Sequence, residues 1–278
     1  MNNDSIKKTL IVSLTLCIVC SILVSGSAVL LRDKQERNKA LDKKKNILVT
    51  AGLVDKNADP ETINSVFSSS IEPLIYNFEE QNLSTEVPEG YDQRKAANDP
   101  QRSSKIEQDY ANIKTRANQG LIYFVKKDGT IKQVILPIHG KGLWSTLYGF
   151  ISLDTDLNTV KGISFYEHKE TPGLGGEVDN PQWQAKWQGK VIYNENGKPT
   201  IEVIKGQVES TTTNANYKVD GLSGATITSR GVSNMLKYWF GEEAYGPLLK
   251  SLDLKKFNDQ SLSQNNSSTP EQGATDVN

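Results

Sequence analysis

Cysteine is scarce in this chain of 278 residues, which contains only Cys17 and Cys20. Both lie in one uncharged, apolar segment near the N-terminus, so the rest of the sequence has no disulfide and no cysteine ligand for a metal. A CxxC spacing can indicate redox or metal chemistry. Two small apolar side chains within a membrane helix are the simpler interpretation of this pair.

Histidine is equally scarce, since His139 and His168 are the only two. The sequence has no HxH or HExxH pattern, which argues against a transition-metal site. It also has no GxSxG motif and no spacing that indicates a Ser/His/Asp triad, so acid–base catalysis is not predicted.

Neither sign of charge dominates, because 32 Lys and Arg residues stand against 33 Asp and Glu residues. Nucleic-acid-binding proteins carry a clearly basic face or domain, so no nucleic-acid partner is predicted. Hydrophobic residues make up 36% of the chain, and many of them lie in one early block. The remainder is polar for its length, which indicates one compact core with long appendages.

That early block runs from Thr9 to Leu31 without a charged residue. As a helix it would be about 34 Å long, enough to cross a hydrocarbon core of roughly 30 Å. A cleaved signal peptide is the alternative, favoured by the small residues 25–28, but its apolar region is usually shorter. We therefore predict a single transmembrane helix over 9–31, preceded by a short flank at 1–8.

The charges beside the span bear on its orientation. Lys7 and Lys8 precede it, and a larger basic group follows it. That group comprises Arg32, Lys34, Arg37, Lys39, Lys43, Lys44 and Lys45. The positive-inside rule alone would therefore place the large domain in the cytoplasm.

Residues 32–119 read as a stalk helix followed by an elaborated polar region. The helix would continue out of the membrane and end at Gly52, either as a solvated stalk or docked on the domain. Residues 55–114 are polar and interrupted by four prolines, which is more typical of surface than of core. At the other end, residues 258–278 are poor in apolar and aromatic residues and are predicted to be disordered.

Residues 120–257 carry the pattern of a folded domain. Two apolar runs, 121–127 and 131–138, are separated by a turn at Asp128-Gly129 and predict a β-hairpin. Further strands are predicted at 149–154, 160–168, 187–193 and 200–208, and helices at 183–187, 227–240 and 248–254. Clustered strands with few helices predict an α+β fold, with a mainly antiparallel central sheet and flanking helices.

Two glycine-rich loops are candidates for binding. GKGLWSTLYG at 140–149 fits neither a P-loop nor a dinucleotide fingerprint. It could be a turn with Trp144 packed inward, or a loop that places this aromatic side chain beside a flat ligand. ETPGLGGE at 170–177 combines a rigid proline with three glycines; it is either a plain surface loop or a loop with a function.

A third segment, DGLSGATIT at 220–228, leads directly into the predicted helix 227–240. Backbone N–H groups at a helix N-terminus are unpaired and favour an anion such as phosphate, and glycine lets a ligand approach closely. The same residues also form ordinary turns and helix caps. The local pattern leaves both interpretations open.

Together the three loops resemble the FMN-binding domain of the C subunits of sodium-translocating NADH:quinone reductases. The resemblance rests on GKGLWSTLYGF (140–150), ETPGLGGE (170–177) and DGLSGATIT (220–228), and the single N-terminal span agrees with it. It covers the anchor, residues 45–54 and about 120–250. Residues 55–114 and the C-terminal tail match only loosely.

The resemblance implies specific residues. In that family FMN is joined by a phosphoester to the last threonine of an [ST]GAT motif, which here is Thr226. A second GAT, at 273–275, lacks the upstream Asp-Gly and is interpreted as a chance match. The other residues expected to contact the cofactor are Asp220, Ser223, Gly224, Ala225, Trp144, Thr171, Gly173 and Leu174.

The resemblance also implies a role in a complex. The chain would be an electron-transfer subunit in a bacterial inner membrane, working with the other reductase subunits and matured by a flavin transferase that uses FAD outside the cytoplasm. That implies a periplasmic FMN domain, against the positive-inside rule. No NADH or quinone motif is present, so no complete active site is expected on this chain. The alternatives are the G subunit of the related Rnf complex and a membrane-anchored binding module without flavin.

Overall fold

The computed structural model describes residues 6–258, so the predicted disordered tail, apart from Asn258, and its second GAT lie outside the described residues. The chain divides into a first unit that ends at Lys43 and a second that begins at Lys44. The helices are α1 (Ile6–Thr50), α2 (Pro60–Ser70), α3 (Gln93–Ala97), α4 (Pro181–Ala185), α5 (Thr226–Trp239) and α6 (Gly246–Ser251). The strands are β1 (Ile71–Asn77), β2 (Asn82–Ser84), β3 (Ser103–Lys105), β4 (Thr115–Ala117), β5 (Gln119–Lys127), β6 (Thr130–Lys141), β7 (Thr146–Leu153), β8 (Val160–Glu167), β9 (Glu202–Val203) and β10 (Lys218–Val219).

The first unit consists of most of α1, a helix long and apolar enough to cross a membrane. Its apolar side chains are exposed, as expected for a surface that faces lipid. The hydroxyls of Ser13 and Ser27 each donate to the carbonyl four residues earlier, at 2.8 Å. These polar side chains are therefore satisfied within the helix and need no partner in the hydrocarbon core.

The C-terminal end of α1 belongs to the second unit, where Ile47 and Leu48 are buried. Gly52, with φ of +69°, ends the helix as predicted. The N–H of Leu53 donates to Leu48 O and that of Gly52 to Val49 O, at 2.9 and 3.0 Å. This is the Schellman arrangement, which satisfies the last carbonyls of a helix. The docked alternative thus holds for the end of the predicted stalk helix.

The central sheet of the second unit has six antiparallel strands in the order β2-β1-β5-β6-β7-β8. The predicted hairpin is confirmed: β5 and β6 are joined by Asp128 and Gly129, with φ of 52° and 72°. Two positive φ values are the signature of a type I′ turn, whose twist matches that of the strands. The predicted α+β architecture is confirmed.

The prediction that residues 55–114 lie at the surface is wrong for one strand. β1 occupies the second position in the sheet and pairs with β5 along its whole length. Leu74, Ile75 and Tyr76 are almost fully buried. The folded domain therefore begins well before residue 120, because an apolar heptapeptide inside a polar region completes the sheet.

Side chains are buried on both faces of the sheet. One face packs against α5, where the predicted stripe of Val232, Met235, Leu236 and Trp239 is fully buried. On the other face, the hydroxyls of Thr50 and Ser164 are hydrogen-bonded. A Cβ added to Gly162 would lie 2.4 Å from Thr50 O, so only glycine permits this close packing of α1 on β8.

Three short elements differ from their predictions. The helix predicted at 183–187 begins two residues earlier, because Asn180 caps it and Pro181 occupies its first turn. The strand predicted at 187–193 is wrong: Val191 and Tyr193 make only isolated bridges. The strand predicted at 200–208 shortens to β9, and the last predicted helix shifts to α6.

Candidate functional site

The three glycine-rich loops meet at one end of the sheet. Residues 142–145 connect β6 to β7, residues 168–174 follow β8, and residues 220–225 connect β10 to α5. Because β6, β7 and β8 are antiparallel neighbours, the end of β6, the start of β7 and the end of β8 lie at the same end of the sheet. The fold therefore brings together three segments that are far apart in the sequence.

Glu170 joins all three loops through its carboxylate. Its side chain is only 5% exposed, although it lies in a loop. It accepts hydrogen bonds from the backbone N–H groups of Leu143, Trp144 and Ser145, at 3.1, 2.9 and 3.1 Å. It also accepts one from the hydroxyl of Thr228, in the first turn of α5, at 2.7 Å. One buried carboxylate thus joins its own loop to the loop 142–145 and to the first turn of α5.

These hydrogen bonds determine the charge state of Glu170. Burial alone would raise its pKa, but the hydrogen bonds from Thr228 and from the backbone of Trp144, Ser145 and Leu143 outweigh burial and lower the pKa below its ordinary value. Glu170 is therefore an ionised carboxylate at neutral pH. Acceptor-only oxygens suit a position surrounded by donors.

Two glycines make room for this carboxylate. A Cβ at Gly142 would lie 2.7 Å from Glu170 Oε1, and one at Gly175 would lie 2.8 Å from Glu170 Oε2 and 2.6 Å from Thr228 Oγ1. A third glycine brings α5 against the first loop, because a Cβ at Gly231 would lie 2.4 Å from Lys141 O. These glycines are required for close approach rather than for flexibility.

Thr226 is the first residue of α5, and its side chain is exposed. The helices α2, α3 and α4 begin with an Asp or Asn side chain that caps their N–H groups. By contrast, α5 begins after Ala225, and no side chain of the described residues caps it. Gly224, with φ of +68°, turns the chain into the helix. The N–H groups of this first turn are thus available to an acidic ligand.

Asp220 is held by internal partners at the start of the same motif. Its carboxylate accepts from the ammonium of Lys186 and from the N–H of Val208, and its carbonyl accepts from the indole N–H of Trp183. Burial would raise the pKa of Asp220, but its hydrogen bonds to Lys186 and Val208 outweigh this effect and lower it. Asp220 thus anchors the chain six residues before Thr226.

Exposed apolar side chains lie on the first two loops and at the start of α5. Leu143, Trp144 and Leu174 are 43%, 66% and 43% exposed, and Ile227, beside Thr226, is 55% exposed. Leu174 lies over Gly224, since its Cδ2 is 2.8 Å from the position of an added Cβ. Trp144 is not packed inward, which contradicts the plain-turn interpretation of its loop. Exposed apolar groups clustered in this way commonly mark a binding surface.

The second glycine loop is closed by its own backbone. The carbonyl of Thr171 accepts from the N–H groups of Leu174 and Gly176, at 3.1 and 2.9 Å, and Gly173 has φ of +76°. Thr171 and Gly173 thus set the turn that presents Leu174. His168, just before this loop, is hydrogen-bonded to Asp179 at 2.7 Å, which raises its pKa.

Thr226 also lines an open groove of about 660 Å³. The other lining residues include Ser223, Gly224 and Lys205. Arg230, one turn after Thr226 on α5, also lines it. Thr226 therefore lines this groove and has the exposed apolar side chain of Ile227 as its neighbour in the sequence.

The sequence did not identify Glu170, Thr228 or Arg230 as site residues. The partners of Glu170 lie 25 to 58 residues away, so no local spacing reveals them. The only available signal was that Glu170 begins the ETPGLGGE loop. In the residues that the structure describes, no group of His, Cys, Asp or Glu side chains could hold a metal ion.

Comparison with known proteins gives a consistent set of relatives. The FMN-binding domain family matches residues 142–241, which contain the three loops from Gly142 onward. The C subunit of the Na(+)-translocating NADH-quinone reductase of Vibrio anguillarum is 48% identical over 250 residues, covering 89% of this chain and 95% of that protein. The same subunit of Pseudomonas aeruginosa is 44% identical over 254 residues, covering 90% and 97%.

Two solved structures share the fold. Shewanella oneidensis NqrC superposes with a TM-score of 0.71 at 34% identity, covering 80% of this chain and 99% of that one. The C subunit of the Na(+)-translocating NADH-quinone reductase from Parabacteroides distasonis superposes with a TM-score of 0.63 at 29% identity, covering 80% and 98%. The similarity therefore extends over nearly the whole length of each relative.

Proposed function

Because this chain belongs to the family of C subunits of the Na(+)-translocating NADH-quinone reductases, we propose that it carries FMN on the hydroxyl of Thr226 and relays electrons within that membrane complex. The observation that carries the proposal is the position of Thr226. It is exposed, it begins a helix without a side-chain cap, and Glu170 joins two of the glycine-rich loops to the first turn of that helix.

The residues around Thr226 fit each part of FMN. Its phosphate is anionic, and the uncapped first turn of α5 offers N–H donors together with the positive end of the helix dipole. Its ring has flat faces that stack on apolar groups, and the exposed side chains of Leu143, Trp144, Leu174 and Ile227 provide a surface for it. FMN, when bound, supplies the electron-transfer chemistry, and the protein supplies position and electrostatics.

The remaining residues of the site have supporting roles. Glu170 fixes loops 142–145 and 168–174 relative to α5, and Asp220 anchors the chain that leads to Thr226. Ser223 lines the groove, and the positive φ of Gly224 turns the chain there. The buried Ala225 leaves the start of α5 without a polar cap that would compete for its N–H groups.

Attachment requires a partner. The oxygen of Thr226 would lose its proton and form a bond to the phosphorus that bears the riboflavin group of FAD, while the phosphoanhydride bond breaks and AMP leaves. We assign this step to a separate flavin transferase, as the family resemblance implies. A covalent bond also explains how an open, exposed site could retain its cofactor.

The mass of the full-length chain tests this proposal. When the chain is produced together with a flavin transferase, its intact mass should exceed that of the sequence by FMN less one water. The denatured protein should retain flavin fluorescence in a gel. Chain produced without the transferase is the control and should have the bare mass. A bare mass in both preparations would instead support a binding module without flavin.

The relatives favour a C subunit over the G subunit of an Rnf complex, because the match covers nearly the full length of the reductase C subunits. We therefore propose that electrons pass through this chain between other subunits on the route from NADH to quinone, coupled to Na+ export. The apolar helix α1 would be its single-pass anchor in a bacterial inner membrane.

We further propose that the FMN domain lies in the periplasm, where the flavin transferase acts, despite the basic residues that follow the span. Single cysteines test this, because both native cysteines lie within α1 and can be replaced. A cysteine in place of Glu195, in an exposed turn of the second unit, should react with a membrane-impermeant maleimide in cells with a permeabilised outer membrane.

The matched control replaces Ser5, ahead of the apolar segment, by cysteine. This cysteine should be protected until the inner membrane is broken. The reverse pattern, with Ser5→Cys labelled and Glu195→Cys protected, would place the domain in the cytoplasm, as the positive-inside rule suggests.

A further inference from the structure

We propose that Arg230 binds the phosphate group carried by Thr226 and is a positioning residue for the cofactor; this rests on the proposed covalent attachment at Thr226. Arg230 lies on α5 and lines the same groove as Thr226. The three glycine-rich loops that define the site do not include it.

Helix geometry places the two residues together. Thr226 and Arg230 are four positions apart, so they are neighbours on one face of α5, with Cβ atoms about 6 Å apart. Side chains on a helix point toward its N-terminus and cover the preceding turn. The long side chain of Arg230 therefore extends over the turn that begins with Thr226.

Arg230 is free to take a ligand. Its side chain is exposed, and within residues 6–258 it makes no hydrogen bond or ion pair. By contrast, Arg94 donates two hydrogen bonds to Glu167, and Lys186 donates one to Asp220. An unpaired guanidinium beside a proposed phosphate is chemically matched to it, because its planar fork donates to two oxygens at once.

The charges of the groove favour an anion. Its charged lining in the described part of the chain consists of Glu202, Lys205 and Arg230, which leaves one net positive charge. Glu202 and Lys205 come from the wall formed by β9 and the residues after it, and Arg230 comes from α5. Of these three charged residues, Arg230 lies on the same helix as Thr226. It is therefore the cation that would interact with a phosphate on Thr226.

This placement predicts what Arg230 does. A phosphodiester keeps one negative charge, and rotation about its bonds would let the attached group move between the groove and the apolar side chains. A bidentate contact from Arg230 would fix the phosphate on the groove side and direct the rest of the cofactor toward Trp144 and Leu174. The helix N–H groups provide attraction, whereas the guanidinium provides orientation.

The test uses the full-length chain with its covalent flavin in four forms: wild type, Arg230→Gln, Arg230→Lys and Lys132→Gln. Lys132 is a matched control because it is exposed, carries the same charge, and lies near the opposite end of β6 from the site. Intact mass first establishes that each preparation carries the flavin. The ³¹P resonance of the diester and its rate of cleavage by a non-specific phosphodiesterase are then measured.

In Arg230→Gln we expect the ³¹P resonance to move toward that of a flavinylated peptide, and cleavage to become roughly fivefold faster, as for loss of one exposed charged contact. Arg230→Lys should be intermediate, since it keeps the charge and loses the fork. Lys132→Gln should match the wild type. Urea unfolding should be unchanged in all variants, because Arg230 has no structural partner among the described residues.

The outcomes separate the two proposals. A wild-type chain without added mass overturns the attachment at Thr226 and this inference with it. A flavinylated Arg230→Gln with wild-type ³¹P resonance and cleavage rate overturns only the contact from Arg230. Equal changes in Arg230→Gln and Lys132→Gln would also overturn it, because they would reflect net charge alone.

Discussion

Replacing Thr226 by alanine should abolish covalent flavin in this protein. When Thr226→Ala is made together with a flavin transferase, its mass should equal that of the bare chain and its denatured band should not fluoresce. The reason is chemical, since the phosphoester needs this one hydroxyl oxygen. The fold should be unaffected, because the Thr226 side chain is exposed and caps no helix in the described part of the chain. In the assembled reductase, electron flow from NADH to quinone should fall to background.

Ser223→Ala is the matched control, because Ser223 is another exposed hydroxyl of the same loop that lines the same groove. This variant should keep the full added mass. Thr228 is less suitable as a control, since its hydroxyl is buried and donates to Glu170. Full flavin on Thr226→Ala, or its loss from Ser223→Ala alone, would move the attachment to another residue.

Replacing Glu170 by alanine should destabilise the protein by about 3 kcal/mol, because a buried network loses its shared acceptor. Three backbone N–H groups and the Thr228 hydroxyl would be left without their partner. Glu170→Gln keeps the shape of the side chain but replaces one accepting oxygen by an amide NH2 group, which would face the same donors. We therefore expect the free energy of unfolding to fall by about 2 kcal/mol. Urea unfolding of the full-length chain in detergent, followed by tryptophan fluorescence, measures both.

Glu195→Ala is the matched control, since it removes a carboxylate from an exposed turn and should change the free energy of unfolding by less than about 0.5 kcal/mol. The Glu170 variants should also flavinylate more slowly, because the loops around Thr226 would no longer be held together. An unfolding free energy of Glu170→Ala equal to that of the control would show that the carboxylate does not hold these loops.

The contribution of Glu170 should depend on pH in a defined direction. Its pKa is lower in the folded state than the ordinary value of 4.5. A carboxylate of this kind contributes its full stability above the unfolded pKa, and the contribution is lost as the pH falls through the folded pKa. The difference between wild type and Glu170→Gln should therefore be constant near neutral pH and shrink below about pH 4.

Features set by neighbouring residues could be predicted from the sequence. An uncharged run of sufficient length predicts α1, the Asp128-Gly129 pair between two apolar runs predicts the β5–β6 hairpin, and a helical stripe predicts α5. Each depends on backbone preference or on one periodicity, and these act over a few residues. The three loop motifs were also sufficient to indicate the family to which the chain belongs.

Other features exist only because distant segments meet. β1 is an inner strand of the sheet although its flanks are polar, because pairing with β5 and not the residues beside it in the sequence decides its burial. In the sequence, Glu170 looks like an ordinary acidic residue of a loop. Only folding brings hydrogen-bond donors from two other segments to its carboxylate. Thus the sequence alone determined the long apolar helix, the family and, to within one residue of its start, the helix α5. Only the tertiary structure joined Glu170 to that helix and opened the groove that Thr226 and Arg230 share with the segment after β9, because long-range contacts leave no local pattern.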